Sequence, residues 1–171
     1  MNKPYRVAEL SEADQELLFE LRYQAIWVAP GESPPSRTVL EEPSIRRGVE
    51  GFGRPGDVGY KAVDEASGEA VGGVWLRLFS ASEAPGGFIE ETIPVLGIAV
   101  WPGWRGQGIG TACMRRLLEG PAGRAPISLN VAKGNPAQRL YERMGFEVVE
   151  DTGASLTMMR SGRRERLGED A

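Results

Sequence analysis

Residues Val95 to Thr111 read VLGIAVWPGWRGQGIGT, and this stretch decides the fold. The apolar run from Thr92 to Val100 is nearly continuous, which suits a strand in the interior of a sheet. A turn follows at Pro102 and Gly103, then Arg105-Gly106-Gln107-Gly108-Ile109-Gly110, then a helix expected from Gly108 to Gly120. Glycine permits positive φ and lets the backbone approach a ligand closely. A helix N-terminus adds unpaired N–H groups and a partial positive charge, so strand, turn and helix together suit a pyrophosphate. A Gly-rich turn that only reverses the chain would use the same residues. Two nucleotide motifs do not fit: no Gly-Lys-Ser/Thr closes the loop, and the spacing Gly106-x-Gly108-x-Gly110 is not Gly-x-Gly-x-x-Gly.

Upstream of this segment, PYRVAEL predicts a first strand, and Ser11 is placed to cap a helix that runs to Val28. Leu17, Leu18, Leu21, Ala25 and Val28 recur near helical spacing, and acids crowd the first turn. The Pro-rich APGESPPSRT stops that helix, and VLEEPSIRRGVEGFG predicts a short second one interrupted by Pro43 and Gly48. Residues 57–79 form two β-rich runs around Ser67-Gly68, a hairpin signal. Downstream, PISLNVAK is a strand, NPAQRLYERMGF a helix with its stop, and EVVEDTGASLTMMR a closing hairpin. The order β-α-α-β-β-β-α-β-α-β-β, without repeats or a linker, is a mixed α/β (α+β) single domain.

Composition narrows the chemistry. With 171 residues, 41% hydrophobic and 26% charged, the chain fits one globular domain. No apolar run reaches membrane-spanning length, and MNKPYRVAEL lacks the long apolar core of a secretory signal, so the expected location is the cytoplasm. Histidine is absent and Cys113 is the sole cysteine, which excludes His-based triads, His- or Cys-rich zinc sites and an internal disulfide. Cys113, inside an apolar helical stretch, reads as a packed small hydrophobe. The net charge of −4 argues against nucleic acid as a partner. In the tail SGRRERLGEDA bases alternate with acids, so residues 161–171 are expected as a charged, disordered end beyond a domain of residues 1–160.

The glycine loop resembles the GNAT superfamily of N-acetyltransferases, whose Arg/Gln-x-x-Gly-x-Gly/Ala pattern Arg105, Gly108 and Gly110 match in place. Ala99-Val100-Trp101-Pro102 looks like the family's strand end. A second block agrees in order and separation: Asn135-Pro136-Ala137, then Leu140-Tyr141, then Gly145-Phe146. The resemblance extends more loosely over Val7 to Met159. It implies a central, mostly antiparallel sheet, splayed at the cofactor site and flanked by helices. It implies acetyl-CoA as co-substrate, no metal, and an amine acceptor on a small molecule or a protein. Homodimers are common in families similar to this one.

The resemblance also assigns roles. Backbone amides of Gln107, Gly108, Ile109, Gly110 and Thr111 would hold the pyrophosphate, with Gly106 in the same turn and Arg105 bordering it. Main-chain groups of Ile98 and Val100, on the strand that carries Ala99, would pair with the pantetheine arm like an added strand. Asn135 would hydrogen-bond the cofactor, and an Asn before Pro also suits a helix cap. Tyr141 would protonate the departing thiolate; the alternative is an aromatic that anchors its helix. Relatives with a similar Pro-initiated strand often carry Glu after the proline, where this chain has Val95. Glu90 and Glu91 are then the nearest carboxylates by sequence, with a solvated acidic loop or a water chain as alternatives. Glu91 is carried forward as the candidate base. Trp75, Arg77 and Phe79 alternate onto one strand face and are candidate pocket residues; a buried Arg77 must reach solvent or meet a carboxylate. The loop from Trp27 to Ser36 either caps the acceptor pocket or simply connects. A non-catalytic CoA-binding or regulatory module and transfer of a longer acyl group are the rival readings.

Overall fold

In the computed structural model, which describes residues 2–163, the first strand β1 spans Tyr5–Glu9. Ser11 then opens a helical segment through a capping box: Asp14 accepts from the Ser11 N–H at 2.9 Å while the Ser11 hydroxyl accepts from the Ala13 N–H. The α-helix proper, α1, runs Gln15–Gln24 and stops short of Val28. Ile26, Trp27 and Val28 are β-branched or aromatic and Pro30 follows, so nothing favours another turn. The loop returns over α1, where the Tyr23 hydroxyl donates to the Pro35 carbonyl at 2.7 Å. Pro43 starts a new helix instead of interrupting one: α2 is only Pro43–Arg46, preceded by a 3₁₀ turn at Arg37–Glu41.

The remaining elements are β2 (Val58–Asp64), β3 (Ala70–Arg77), β4 (Val95–Val100), α3 (Ile109–Glu119), β5 (Ile127–Ala132), α4 (Ala137–Arg143), β6 (Glu147–Asp151) and β7 (Ser155–Arg160). They form one sheet in the order β1-β2-β3-β4-β5-β7-β6. Every neighbouring pair is antiparallel except β4 with β5. Among the described residues no helix is long and apolar enough to cross a membrane.

The two faces of the sheet carry separate cores. On one, α3 buries Ile109, Cys113, Met114 and Leu117 against Val74, Leu76, Leu96 and Leu129, and Tyr141 and Phe146 join this cluster. On the other, Leu18 and Leu21 of α1 pack with Val49, Phe52, Trp75 and Ala99. Here the Trp75 indole lies across Gly97, so that any Cβ at Gly97 would run into the ring. Trp75 Nε1 donates to the Gly48 carbonyl at 3.2 Å, which ties the segment after α2 to the sheet.

Arg77 and Asp57 fasten the same region. Both side chains are 1% exposed, joined by Nη2–Oδ2 at 2.6 Å and Nε–Oδ1 at 3.0 Å. The remaining Arg77 donor Nη1 reaches the carbonyls of Arg47 and Glu50, and Asp57 also accepts from the N–H groups of Gly53 and Arg54. A buried pair is tolerated when its atoms are hydrogen-bonded, and here every Arg77 side-chain nitrogen and both Asp57 oxygens have a partner. At the C-terminal end, Arg163 donates to the carbonyls of Leu118, Glu119 and Gly123, so the described beginning of the predicted tail packs behind α3. The rest of that tail, from residue 164, lies outside the described residues.

Candidate active site

The turn after β4 is an open cradle of backbone donors. Gly106 and Gly108 hold φ of 74° and 81°, a region that favours glycine, and Gly108 directly precedes α3. None of the N–H groups from Gly106 to Thr111 finds an acceptor among the described residues; the first bond back into the turn is Ala112 N–H to the Gly108 carbonyl, 2.9 Å. A Cβ at Gly106 or Gly108 would meet nothing within 4 Å, so no protein atom crowds the side-chain side of these two glycines. Gly110 faces inward instead, where a Cβ would sit 3.5 Å from Leu140 and 3.8 Å from Ile98 and Val100. Arg105 folds back to donate from Nε to the Val100 carbonyl at 2.9 Å, which ties the turn to the strand end. Unpaired amides, positive helix end and uncrowded glycines fit a diphosphate.

Beside the cradle the sheet splits. β4 and β5 pair only at Val95–Ser128 and Leu96–Leu129, whereas β4 keeps β3 as its partner from Val95 to Val100. The Pro94 carbonyl accepts from Ser128 N–H on the β5 side, while Trp101 N–H donates to Val71 on the β3 side. Main-chain groups alternate along a strand. Leu96, Ile98 and Val100 therefore turn their N–H and C=O toward β5, and beyond Leu96 the neighbouring strand has left. Ile98 presents both groups to the split; Val100 presents its N–H, its carbonyl being taken by Arg105. Ala99 is placed differently: its main chain faces Gly73 of β3 and its side chain is buried in the α1-side core.

Tyr141 stands on α4 at 6% exposure, with its ring edge-on to Phe146 at 6.1 Å. No buried side-chain nitrogen or oxygen among the described residues lacks a partner, and the Tyr141 hydroxyl has no protein partner, so that oxygen reaches solvent-accessible space. Burial pushes the Tyr141 phenol up to about 12, which keeps it protonated at neutral pH. Asn135 performs the capping role: its Oδ1 accepts from Ala137 N–H at 3.0 Å, leaving the side-chain amide nitrogen available. Cys113 is buried and its thiol is likewise pushed up to about 12, far from the thiolate a nucleophile needs.

Glu91 lies in the β3–β4 loop. Its exposed carboxylate accepts from Ala81 N–H at 2.8 Å and so organises the β3–β4 loop, and Glu90 is engaged by Thr92. Arg77 meets its carboxylate in Asp57 and is fully buried, so it anchors the fold and does not line a pocket. Trp27 does reach across: a Cβ at Gly134, in the β5–α4 turn, would lie 3.5 Å from its indole. One neighbour of the cradle has no signal in the sequence. Lys3 donates its N–H to Gln107 Oε1 at 3.3 Å and sets its ammonium 4.4 Å over the Trp104 ring, a contact across 104 positions of chain.

The family model described as Acetyltransferase (GNAT) domain matches residues 57–148, more than half of the chain, and the match contains the cradle, the split and Tyr141. The chain belongs to the GNAT acetyltransferases. Solved members of similar fold agree with that placement. A PaiA N-acetyltransferase from Thermoplasma acidophilum, solved with coenzyme A, has TM-score 0.63 and 17% identity over 92% of this chain and 99% of its own. A phosphinothricin acetyltransferase from Sinorhizobium meliloti, solved with AcCoA, has TM-score 0.63 and 19% identity over 92% and 89%. The ribosomal-protein-S18-alanine N-acetyltransferase from Escherichia coli has TM-score 0.62 and 17% identity over 98% and 99%. At these identities the likeness is one of GNAT fold. No curated protein matches the sequence. The mixed, mostly antiparallel sheet expected of a GNAT fold is the sheet observed.

Proposed function

We propose that this GNAT chain transfers an acetyl group from acetyl-CoA to a primary amine by direct attack in a ternary complex. The observation that carries the reading is the run of unpaired amides from Gly106 to Thr111 at the positive end of α3, with no protein atom crowding Gly106 or Gly108. Those amides suit the pyrophosphate of CoA, and Asn135 is available nearby to hydrogen-bond the same cofactor. The main-chain groups of Ile98 and Val100 that face the split suit the amide groups of a pantetheine arm, which would take the place of the departed strand. Solved GNAT neighbours bound to CoA and to AcCoA support acetyl-CoA as the co-substrate.

The chemistry asks three things of the site. The amine nitrogen bonds to the thioester carbonyl carbon, and charge gathers on the carbonyl oxygen; the Ile98 N–H faces the split where it can stabilise that charge. The carbon–sulfur bond then breaks, and Tyr141, held protonated by burial, gives its proton to the leaving sulfur. The nitrogen sheds its extra proton to water, since Val95 offers no carboxylate where many relatives carry one. Cys113, buried with a raised pKa, has no part, so no acyl-enzyme forms. Acceptors of more than one kind occur among similar folds, with neighbours named for phosphinothricin and for a ribosomal-protein alanine.

The test is thiol release from acetyl-CoA across a panel of amines with wild type and Tyr141→Phe. Removing a positioned acid lowers kcat by about 100-fold, while the KM for acetyl-CoA stays close to wild type. Full turnover by the Phe variant removes Tyr141 from the chemistry. Binding of CoA with no release on any amine favours the non-catalytic module instead.

A further inference from the structure

Among the described arginines, Arg22 alone is withdrawn from full exposure and yet meets no acceptor. Arg77 has Asp57, Arg46 has Glu50, and Arg47 and Arg160 donate to carbonyls. On α1 the neighbours of Arg22 one turn back are Leu18 and Phe19, and Ala25 and Ile26 follow the helix end, all apolar. Desolvation holds its guanidinium below the usual arginine range, with no carboxylate to compensate. A half-buried cation without a counter-charge is a costly arrangement unless an anion arrives.

Its position gives that anion a purpose. Arg22 Nε lies 3.5 Å from where a Gly48 side chain would begin. The Gly48 carbonyl accepts from Trp75 Nε1, and the Trp75 indole covers Gly97, next to Ile98. Arg22 is thus on the α1 face of the sheet, linked through Gly48 and Trp75 to Gly97, the residue before Ile98. The cradle helix and Tyr141 belong to the opposite face. If the cofactor lies along the split from the α3 side, the α1 face is where an acceptor approaches. A guanidinium fork there matches a carboxylate in bidentate geometry. We propose that Arg22 anchors the acceptor through a carboxylate, so that the substrate is an amine that also carries a carboxyl group. This inference rests on the acetyltransferase reading and specifies its substrate class.

The experiment separates the two. Calorimetric titration of the wild type with CoA tests the parent reading alone: no binding ends that reading. Acetylation is then compared between amino acids, namely glutamate, phenylalanine and β-alanine, and their amides. The expected result is a preference for the acids of at least about tenfold in kcat/KM, which Arg22→Gln collapses to near one through a higher acceptor KM. Arg22→Lys, which keeps the charge and loses the fork, should retain part of the preference, and the KM for acetyl-CoA should stay within about twofold in both variants. Equal use of amides and acids by wild type, or a preference that survives Arg22→Gln, overturns the proposal. If no panel amine turns over, binding decides: saturable quenching of tryptophan fluorescence by the acids with CoA present, lost in Arg22→Gln, supports it. No saturable binding by any of the acids, or equal binding by both proteins, overturns it.

Discussion

The two edges of β4 are treated in opposite ways. Along β3 the strand is paired from Val95 to Val100, and that side is reinforced by the Trp75–Gly48 hydrogen bond and the buried Arg77–Asp57 pair. Along β5 only Val95 and Leu96 are paired, and the main-chain groups of Ile98 beyond them have no strand opposite. A sheet that opens on one side needs a rigid partner on the other, or the strand would drift and close the gap. The division predicts that substitutions on the β3 side cost stability, whereas substitutions around the split cost binding or turnover.

The largest effect is expected on the closed side. Asp57→Ala leaves a buried guanidinium unpaired and should lower stability by about 3–5 kcal/mol, read by urea unfolding. A loss under 1 kcal/mol would mean that Arg77 finds solvent in the variant. The open side is challenged by Gly108→Val, which puts a β-branched side chain on an uncrowded glycine of the cradle. Its CoA affinity should drop about 100-fold, or about 2.7 kcal/mol, by titration calorimetry. An unchanged affinity would show that the amides of this turn do not hold the phosphates. Asn135→Ala joins both kinds of loss at smaller scale: the cap bond to Ala137 should cost about 1 kcal/mol of stability, alongside a modest rise in the KM for acetyl-CoA.

The last prediction is an absence of effect. Tyr141 donates only while protonated, and its raised pKa means that this form persists until pH climbs through about 12. Between pH 7 and 10 kcat should therefore rise or level off as the acceptor amine loses its proton, with no alkaline fall. A descending limb near the ordinary tyrosine value of about 10 would show that the phenol is solvated during turnover.

Much of this arrangement could be read along the chain, because it depends on local signals. Glycine spacing after an apolar strand pointed to the cradle, and Asn before Pro marked the start of α4. Ser67-Gly68 placed the first hairpin, which closes where expected with the Gly68 φ at 73°. α1 ends before the pattern suggests because hydrophobic spacing continues to Val28 while helix propensity fails at Ile26-Trp27-Val28. Contacts between distant segments were out of reach. Nothing in the sequence pairs Arg77 with Asp57, or ties the Glu91 carboxylate to the Ala81 N–H ten positions earlier. The split came from family resemblance alone, since no composition signal says where two strands part. The solitude of Arg22 is harder still, because a missing partner has no letter in a sequence.

Gly97 and Trp75 bind each other's evolutionary options. The indole occupies the volume that any side chain at position 97 would need, so the glycine cannot grow while the tryptophan stays. Descendants that enlarge the glycine must shrink the tryptophan in the same lineage, and would then reshape the wall between α1 and β4. Drift at that pair should travel with a change in how α1 packs on the sheet, while the glycine turn after the strand stays as it is.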